Sequence, residues 1–543
     1  MSATLNPSEQ PANLHTPDPE GNIRKSFIDS SDVIKMMERC GYPEDMVDII
    51  DSENLLPLGL LNRIQGAYPQ YSNLLETRPF LFNDKTQYSG LKGFRAITEL
   101  LNRAGIDIGH IPERELFIEV YRFLATRHIL NMINWNNFTD DSIFQLVFPQ
   151  PGMIPHDVVK AYQNAKTAGE RRDIAEAYKT RTNPHDGKQK LNKPWFENDH
   201  GEIEILKGGQ HKYPQCQLIF DKTTQNCFTF CSYCFRHAQV RGDEDMFLQD
   251  DIRQVHDYMK RHREITDMLI TGGDAGFIPY ERFREYVLPI LQDPELMHIR
   301  TVRLGSRALT FNPEMIISSG YNNMLSLFNQ VYNGGVQILW MAHFSTPREV
   351  INPSTLAAIR RLKAHGVTVK SQSPIMNHIS LFTDENGTVD VDRSAQNWID
   401  LGNLLAMLSV GFHSMYCARP TGEHHYFTAP LADIDKVFSK IYRSLPSISR
   451  PSRYISMTSS SGKISLLGTT EINGEKVFVL KFNEARNMEW MDRVFLAKYD
   501  EKENTIEKLK PYGAEQYFYH DELIEIERQL HQALESRQKN KTN

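Results

Sequence analysis

Three of the chain's six cysteines fall within eight residues: Cys227, Cys231 and Cys234, spaced C-x3-C-x2-C in NCFTFCSYCFRHAQVRG. A structural zinc site takes four ligands, usually as two close pairs. Three thiolates instead suit a four-iron cluster whose remaining iron stays open to a small molecule. Phe228, Phe230, Tyr233 and Phe235 are interleaved with the thiols and would shield such a cluster from water. Two other readings stay open. One is zinc with a remote fourth ligand, His237 or Cys216, in a structural module that is not an enzyme. The other is three buried thiols with no metal.

Other stretches offer polar groups. Gly272, Gly273 and Asp274 in ITGGDAG combine close backbone approach with a carboxyl or carbonyl able to accept from an ammonium group. The plain alternative is a tight strand-to-helix turn. Lys463 ends SSSGK, and Ile464 after it argues against a Walker-type phosphate loop, which needs Ser or Thr there. Arg236, two residues beyond the last clustered cysteine, carries a fork that fits a carboxylate. The plainer alternative is that it tunes the charge of a cluster. His424 and His425 form a loop pair that solvent alone would explain.

These groups need a scaffold. Short apolar runs at 217–221, 267–272, 299–305, 336–342, 367–373 and 410–417 alternate with helical patterns such as LQDDIRQVHDYMKRH and STLAAIRRLKAHG. That alternation predicts a parallel α/β sheet covered by helices. Six units fit a partial (β/α)6 TIM-like barrel, with a doubly wound sheet as the alternative. Nearly every run leads into polar residues, and ligands in parallel α/β folds bind at the carboxyl ends of the strands. The predicted organisation is a disordered lead-in at 1–23, a largely helical region at 24–194, the barrel at 195–445, and a C-terminal extension at 446–543. That extension holds Lys463, a small β region and a terminal amphipathic helix able to serve homo-oligomer assembly. Within the helical region, NWNNFTDDSIFQLVFPQPGMI reads as an interruption. TNPHDGKQKLNKPWFENDHGE reads as a linker.

Composition narrows the class. A formal charge of -7 leaves no basic excess for nucleic acid. There is no run of about 18 apolar residues to span a membrane. The polar, Pro-rich start lacks a signal pattern, and clustered thiols in so long a chain point to a reducing cytoplasm rather than a disulfide framework.

The cysteine triplet, the ITGGD after the second strand and the six units resemble the radical S-adenosylmethionine (SAM) superfamily. HKYPQCQLIFDKTTQNCFTFCSYCFRH, TVRLGSRALTFNPEMI, HFSTPREVINPSTLAAIRRLKAHGVTVKSQSPIMNHI and SSSGKISLLGTTEINGEKVFVLKF resemble the lysine 2,3-aminomutase family in order and spacing, over roughly residues 195 to 500. The resemblance implies an isomerase that uses a [4Fe-4S] cluster, SAM and pyridoxal 5'-phosphate (PLP). An electron donor such as flavodoxin or ferredoxin would serve it. Cys227, Cys231 and Cys234 would ligate the cluster. Gly272, Gly273, Asp274, His343 and Gln372 would contact SAM. Lys463 would carry PLP, with Lys212 and Tyr213 beside it, and Arg236 would grip the α-carboxylate of an amino acid substrate.

Departures matter as much. Serines replace the family's glycines before Lys463, and Cys216 stands where a second cation is expected. The two aspartates that pair with a lysine ε-ammonium would fall at Ala418 and Ser456, neither of them acidic. Arg419, next to the first of these, suits an acidic side chain, unless it simply pairs with Glu423. The implied reaction is migration of an α-amino group to Cβ of a non-cationic amino acid such as glutamate. The alternative is a relative that has lost PLP and acts on another substrate.

Overall fold

The structure, a computed structural model, describes residues 28–71, 74–75, 81–182, 192–198, 200–241 and 246–540. The lead-in expected at 1–23 lies outside them. Eleven strands form one sheet. They are β1 (Gly209–Tyr213), β2 (Cys216–Phe220), β3 (Asp267–Thr271), β4 (Thr301–Gly305), β5 (Gln337–Ala342), β6 (Thr368–Ile375), β7 (Gly411–Cys417), β8 (Ser456–Thr458), β9 (Gly462–Ile472), β10 (Glu475–Ala485) and β11 (Val494–Lys498). Their order across the sheet is their order in the chain. A doubly wound sheet reverses at a switch point; this one does not, so that alternative fails. The six expected strands are β2 to β7.

β2 to β8 run parallel, while β1 and β9 to β11 are antiparallel to their neighbours. The parallel register is nearly level: Phe220 faces Thr271, Gly305 faces Met341, Ala342 faces Ser371 and Ile375 faces Cys417. The six loops leaving β2 to β7 therefore start from one rim. The crossovers are α1 (Ile252–Arg261), α2 (Tyr280–Gln292), α3 (Asn322–Asn333), α4 (Pro353–Ala364), α5 (Val391–Met407) and α6 (Leu431–Ser444). Each has a local cause. In α4, Asn352 caps the Thr355 N–H at 2.8 Å and Pro353 takes the first turn, where its missing N–H costs nothing. Leu356, Ile359 and Leu362 are then buried at helical spacing.

The sheet also curls. The Lys212 ammonium, on β1, donates to the Ser459 carbonyl between β8 and β9. Lys463 Nζ on β9 sits 5.5 Å from the Tyr213 ring centroid on β1. The first strand thus returns to the β8–β9 side. The C-terminal strands continue the main sheet rather than forming a separate β layer.

Among the described residues, 28–182 is built mainly of short helices, from Ser30–Cys40 to Ala168–Lys179. The stretch read as an interruption contains a helix, Ser142–Val147, capped by Asp141, which accepts from Ile143 and Phe144 N–H groups. Of the expected linker, 183–191 lies outside the described residues. Further on, Trp195–Glu197 pairs antiparallel with Ile203–Ile205. The terminal helix, His520–Asn540, is tied to the sheet side by Trp490 Nε1, which donates to Glu522 at 2.7 Å, and by Tyr519 packing on Phe482. No helix of the described residues is long and apolar enough to cross a membrane.

Candidate active site

Cys227, Cys231 and Cys234 lie on the loop that leaves β2. Asp221, fully buried at the end of β2, starts that loop. It accepts from Tyr286 OH at 2.8 Å and Arg282 Nε at 2.7 Å, which fixes the loop's root to α2. The N-terminal helical layer holds the loop's far side. Phe230 N–H donates to Leu124 O and Ser232 N–H to Leu146 O, both at 2.8 Å, while Gln87 Nε2 donates to Phe228 O at 2.9 Å. Phe228 stacks on Phe277 at 4.1 Å. Burial pushes the Cys227 thiol up, and the neighbouring Cys234 and Asp274 push it further. Burial pushes the Cys231 thiol up as well, and thiols that resist ionisation one by one fit a site where a multivalent cation neutralises them together.

Neither alternative fourth ligand faces the triplet freely. Cys216 begins β2, at the opposite end from the loop, and its sulfur accepts from Arg303 at 2.9 Å. His237 Nε2 hydrogen-bonds the Thr182 carbonyl at 3.1 Å and its ring packs on Tyr121. The cysteine loop itself offers three thiol donors. That fits a cluster with one open iron better than tetrahedral zinc.

Gly272 and Gly273 are demanded by space. Gly272 has φ +148°, and a Cβ on it would lie 2.4 Å from Thr224 Oγ1. A Cβ on Gly273 would lie 2.6 Å from the Asn226 carbonyl oxygen and 2.9 Å from Cys227 Sγ. The glycine turn is pressed onto the cysteine loop itself. Asp274 is buried, and its carboxylate accepts from Gly276 N–H at 2.8 Å and Arg307 N–H at 2.9 Å. Burial raises its pKa to about 6 against those hydrogen bonds. Its side chain thus shapes the loop, and close backbone approach falls to the two glycines. His343 follows β5; burial, then Arg307 and Arg236, lower its pKa to about 3, so it is a neutral imidazole. Gln372, on β6, accepts from Tyr416 OH at 3.0 Å.

One residue on this rim was not singled out from sequence: Arg307, in the SR after β4. It is buried, donates to Cys231 Sγ at 3.5 Å and Tyr233 OH at 2.7 Å, and pairs with the fully buried Glu349 at 2.5 Å. Glu349 in turn accepts from Thr346 N–H at 3.0 Å. The signal was its position, immediately beyond a strand end on the common rim.

Across the curled sheet stands Lys463. Its ammonium pairs with Glu484 Oε2 at 2.7 Å and lies near the rings of Tyr213 and Tyr416, at 5.5 and 5.7 Å. Burial opposes its charge, but Tyr416, Glu484 and Tyr213 outweigh that and leave its pKa raised. Beside it is a group of cations. Lys212 donates to Ser459 O, and Arg486 Nε donates to Ser460 O at 2.8 Å. Burial, then Arg486 and Arg419, hold the Lys212 pKa well below its ordinary value. Arg486 comes from just beyond the end of β10, far along the chain, and lies near enough to Lys212 to disfavour its charge.

Arg236 and Arg419 both pack on Phe235, with guanidinium carbons 5.2 and 5.5 Å from its centroid. Arg236 also bonds Thr271 Oγ1 and Gly272 O, the latter at 3.3 Å. Burial, then Arg419, bring its pKa down to about 10. Arg419 Nε is buried without a hydrogen-bond partner. The rival pairing of Arg419 with Glu423 is not what forms. Glu423 accepts instead from Tyr121 at 2.8 Å and Tyr178 at 2.9 Å. Ala418 and Ser456 are both buried, and neither supplies a charge. His425 Nε2 pairs with Gly152 O at 3.2 Å and His424 Nδ1 with Gly422 O at 3.3 Å, so the two imidazoles are held by separate carbonyls.

No family model matches the chain. A glutamate 2,3-aminomutase of Clostridioides difficile is 30% identical over 31% of this chain and 37% of its own length. An L-lysine 2,3-aminomutase of Clostridium subterminale is 29% identical over 32% of this chain and 39% of its own. The chain is thus similar to lysine and glutamate 2,3-aminomutases over about a third of its length. The match spans 66%, 47% and 37% of the lengths of three such relatives. Among solved structures, a radical SAM methyltransferase from Sphaerobacter thermophilus is 16% identical, with 49% of this chain and 77% of that chain covered at a TM-score of 0.28.

Proposed function

We propose that the protein is a radical SAM, PLP-dependent 2,3-aminomutase whose substrate is an acidic or otherwise non-cationic α-amino acid. The observation that carries this reading is the pair of half-buried guanidiniums on Phe235, Arg419 with its Nε buried and without a hydrogen-bond partner, and no carboxylate bound to either among the described residues. A buried guanidinium nitrogen left without a partner is costly, so such a pair suits an anionic ligand. Two carboxylates satisfy two forks.

The curled sheet, with six β/α units in unbroken order, is read as a partial (β/α)6 barrel closed by the C-terminal strands. When bound, the cofactors supply homolytic hydrogen abstraction and an electron-delocalising ring. This chain's residues do the rest. The cysteine loop, pinned between α2 and the N-terminal helices, places an open metal position on the rim. Gly272 and Gly273 let their turn lie directly against the cysteine loop, beside that position. Arg236 orients the α-carboxylate toward that rim, and Arg419 takes the side-chain carboxylate. Lys212 and Arg486 receive a phosphate, with the Tyr213 ring beside Lys463 as a face for an aromatic cofactor. The N-terminal helices exclude water from the reacting centre. A flavodoxin- or ferredoxin-like donor would deliver the electron in a reducing cytoplasm.

The test is anaerobic reconstitution with iron, SAM and PLP against a panel of amino acids, read as 5'-deoxyadenosine and β-amino products. Glutamate or another non-cationic amino acid should outperform lysine. Arg419→Ala should lose an acidic substrate selectively, while Arg236→Ala loses all of them. Efficient lysine turnover with no response to glutamate would refute the substrate assignment. Absence of a PLP band that depends on Lys463 would favour a relative that has lost PLP.

A further inference from the structure

We propose that Glu484, braced by Arg453, is the resting partner of the Lys463 ammonium and sets when that lysine is free to take up its cofactor. The inference rests on the reading of Lys463 as the cofactor amine.

Lys463 and Glu484 are directly opposite each other in the β9–β10 ladder. Cross-strand neighbours of this kind hold their side chains within reach of one another. The carboxylate lies between two cations: Oε2 meets Lys463 Nζ at 2.7 Å, and Oε1 meets Arg453 Nη1 at 3.0 Å. Burial opposes the charge of Glu484, but Lys463 first and Arg453 after it keep the carboxylate ionised and bring its pKa down to about 2. Glu484 is therefore a poor proton acceptor and a durable counter-ion.

The other groups around Lys463 come from the elements packed against it. Tyr213 and Lys212 come from β1, and Tyr416 and His413 from β7. The two tyrosine rings favour the ammonium, while Lys212 and a neutral His413 do not add negative charge. An ammonium has no lone pair. Attachment requires the neutral amine to add to the aldehyde of pyridoxal phosphate. A C=N bond then forms, the aldehyde oxygen leaves as water, and the ammonium proton passes to solvent. A carboxylate that favours the ammonium opposes attachment. It also stores the lysine once the cofactor has moved to a substrate amine, which keeps Lys463 from recapturing it early.

The experiment titrates the reconstituted protein with pyridoxal phosphate across pH and follows the absorbance band that Lys463→Ala abolishes. In Glu484→Gln the midpoint pH for attachment should fall by about one unit or more, equal to roughly tenfold more attachment at fixed pH. In Arg453→Gln it should rise, because Glu484 then pairs with Lys463 alone. Glu484→Asp should stay near the wild-type midpoint. Opposite shifts distinguish this role from a merely structural ion pair, whose loss would lower the unfolding temperature of either variant without moving the midpoints apart. Unchanged midpoints in both Gln variants, with the band present, overturn the inference while leaving Lys463 as the attachment site. A wild-type chain with no such band overturns both.

Discussion

Gly273→Ala is the sharpest steric probe of the site. The added Cβ would fall 2.6 Å from the Asn226 carbonyl oxygen and 2.9 Å from Cys227 Sγ. Comfortable contact begins near 3.4 Å, so these gaps are short by about 0.8 and 0.5 Å. The turn cannot simply back away. Gly273 and Asp274 N–H groups both donate to Thr224 O, at 2.8 and 3.1 Å. Losing those two bonds costs about 1 kcal/mol each, and overpacking adds about 1–3 kcal/mol. The whole is about 3–5 kcal/mol, concentrated on the residues flanking one metal ligand. The expected result is a folded chain whose Cys227 is displaced. Iron per chain after anaerobic reconstitution should fall to less than half of wild type, and SAM affinity should fall with it in calorimetry. Gly305→Ala is the control. It lies on the same rim, but its Cβ would meet nothing closer than 3.5 Å, and it should load iron normally. Full iron content and unchanged SAM affinity in Gly273→Ala would refute the close packing of the glycine turn on the cysteine loop.

Three further outcomes follow from the geometry. Cys227→Ala, Cys231→Ala and Cys234→Ala should each abolish reductive SAM cleavage, while Cys40→Ala, Cys216→Ala and Cys417→Ala retain iron; a fully loaded Cys231→Ala would contradict the ligand set. Asp221→Asn, which leaves Arg282 short of its buried partner, should destabilise the chain by about 3–5 kcal/mol, measured by denaturant unfolding. His128 and His413 both have pKa values lowered to about 3, by burial and then by Arg127 for one and Arg453 for the other. Each therefore contributes stability that is full above the unfolded value near 6.5 and drains as pH falls toward 3. At pH 5 the loss reaches at most about 2 kcal/mol for each, visible as a falling unfolding midpoint that His413→Gln should flatten.

Much of the site was legible because its signals are local. The cysteine spacing, the glycine pair and the polar residue beyond each apolar run are all short-range patterns, and the level register of β2 to β7 brings them to one rim. Arg307 was visible in the same way and was passed over, since a Ser-Arg pair after a strand carries no motif. Glu484 and Arg486 needed long-range pairing. For Glu484 a signal did exist: Asn473 and Gly474 have φ of 53° and 82°, the two-residue hairpin turn that Asn-Gly favours. Counting outward from it pairs residue 463 with 484, which the ladder keeps because two register shifts along it cancel. Arg486 had no such signal, because its approach to Lys212 depends on the curl of the whole sheet.

That curl makes a last expectation possible. Lys212, Arg486, Arg236 and Arg419 are gathered where β1 meets the β8–β10 side, and burial lowers the pKa of all four. Lys212 and Arg486 are held by the carbonyls of Ser459 and Ser460, and Arg486 also by Asn192, rather than by carboxylates. Carbonyls orient a cation but do not neutralise it, so these cations carry an electrostatic cost that a bound anion removes. A ligand that binds only the folded chain adds about 2.7 kcal/mol of stability at a hundredfold excess over its dissociation constant. Inorganic phosphate, and pyridoxal phosphate more strongly, should raise the unfolding temperature in thermal scans. Pyridoxal, which lacks the phosphate, should raise it less. Arg486→Ala should narrow the difference between the two, while Arg419→Ala should leave that difference intact and weaken the response to glutamate. Equal stabilisation by pyridoxal and its phosphate in the unaltered protein would show that Lys212 and Arg486 hold the local fold and receive no phosphate.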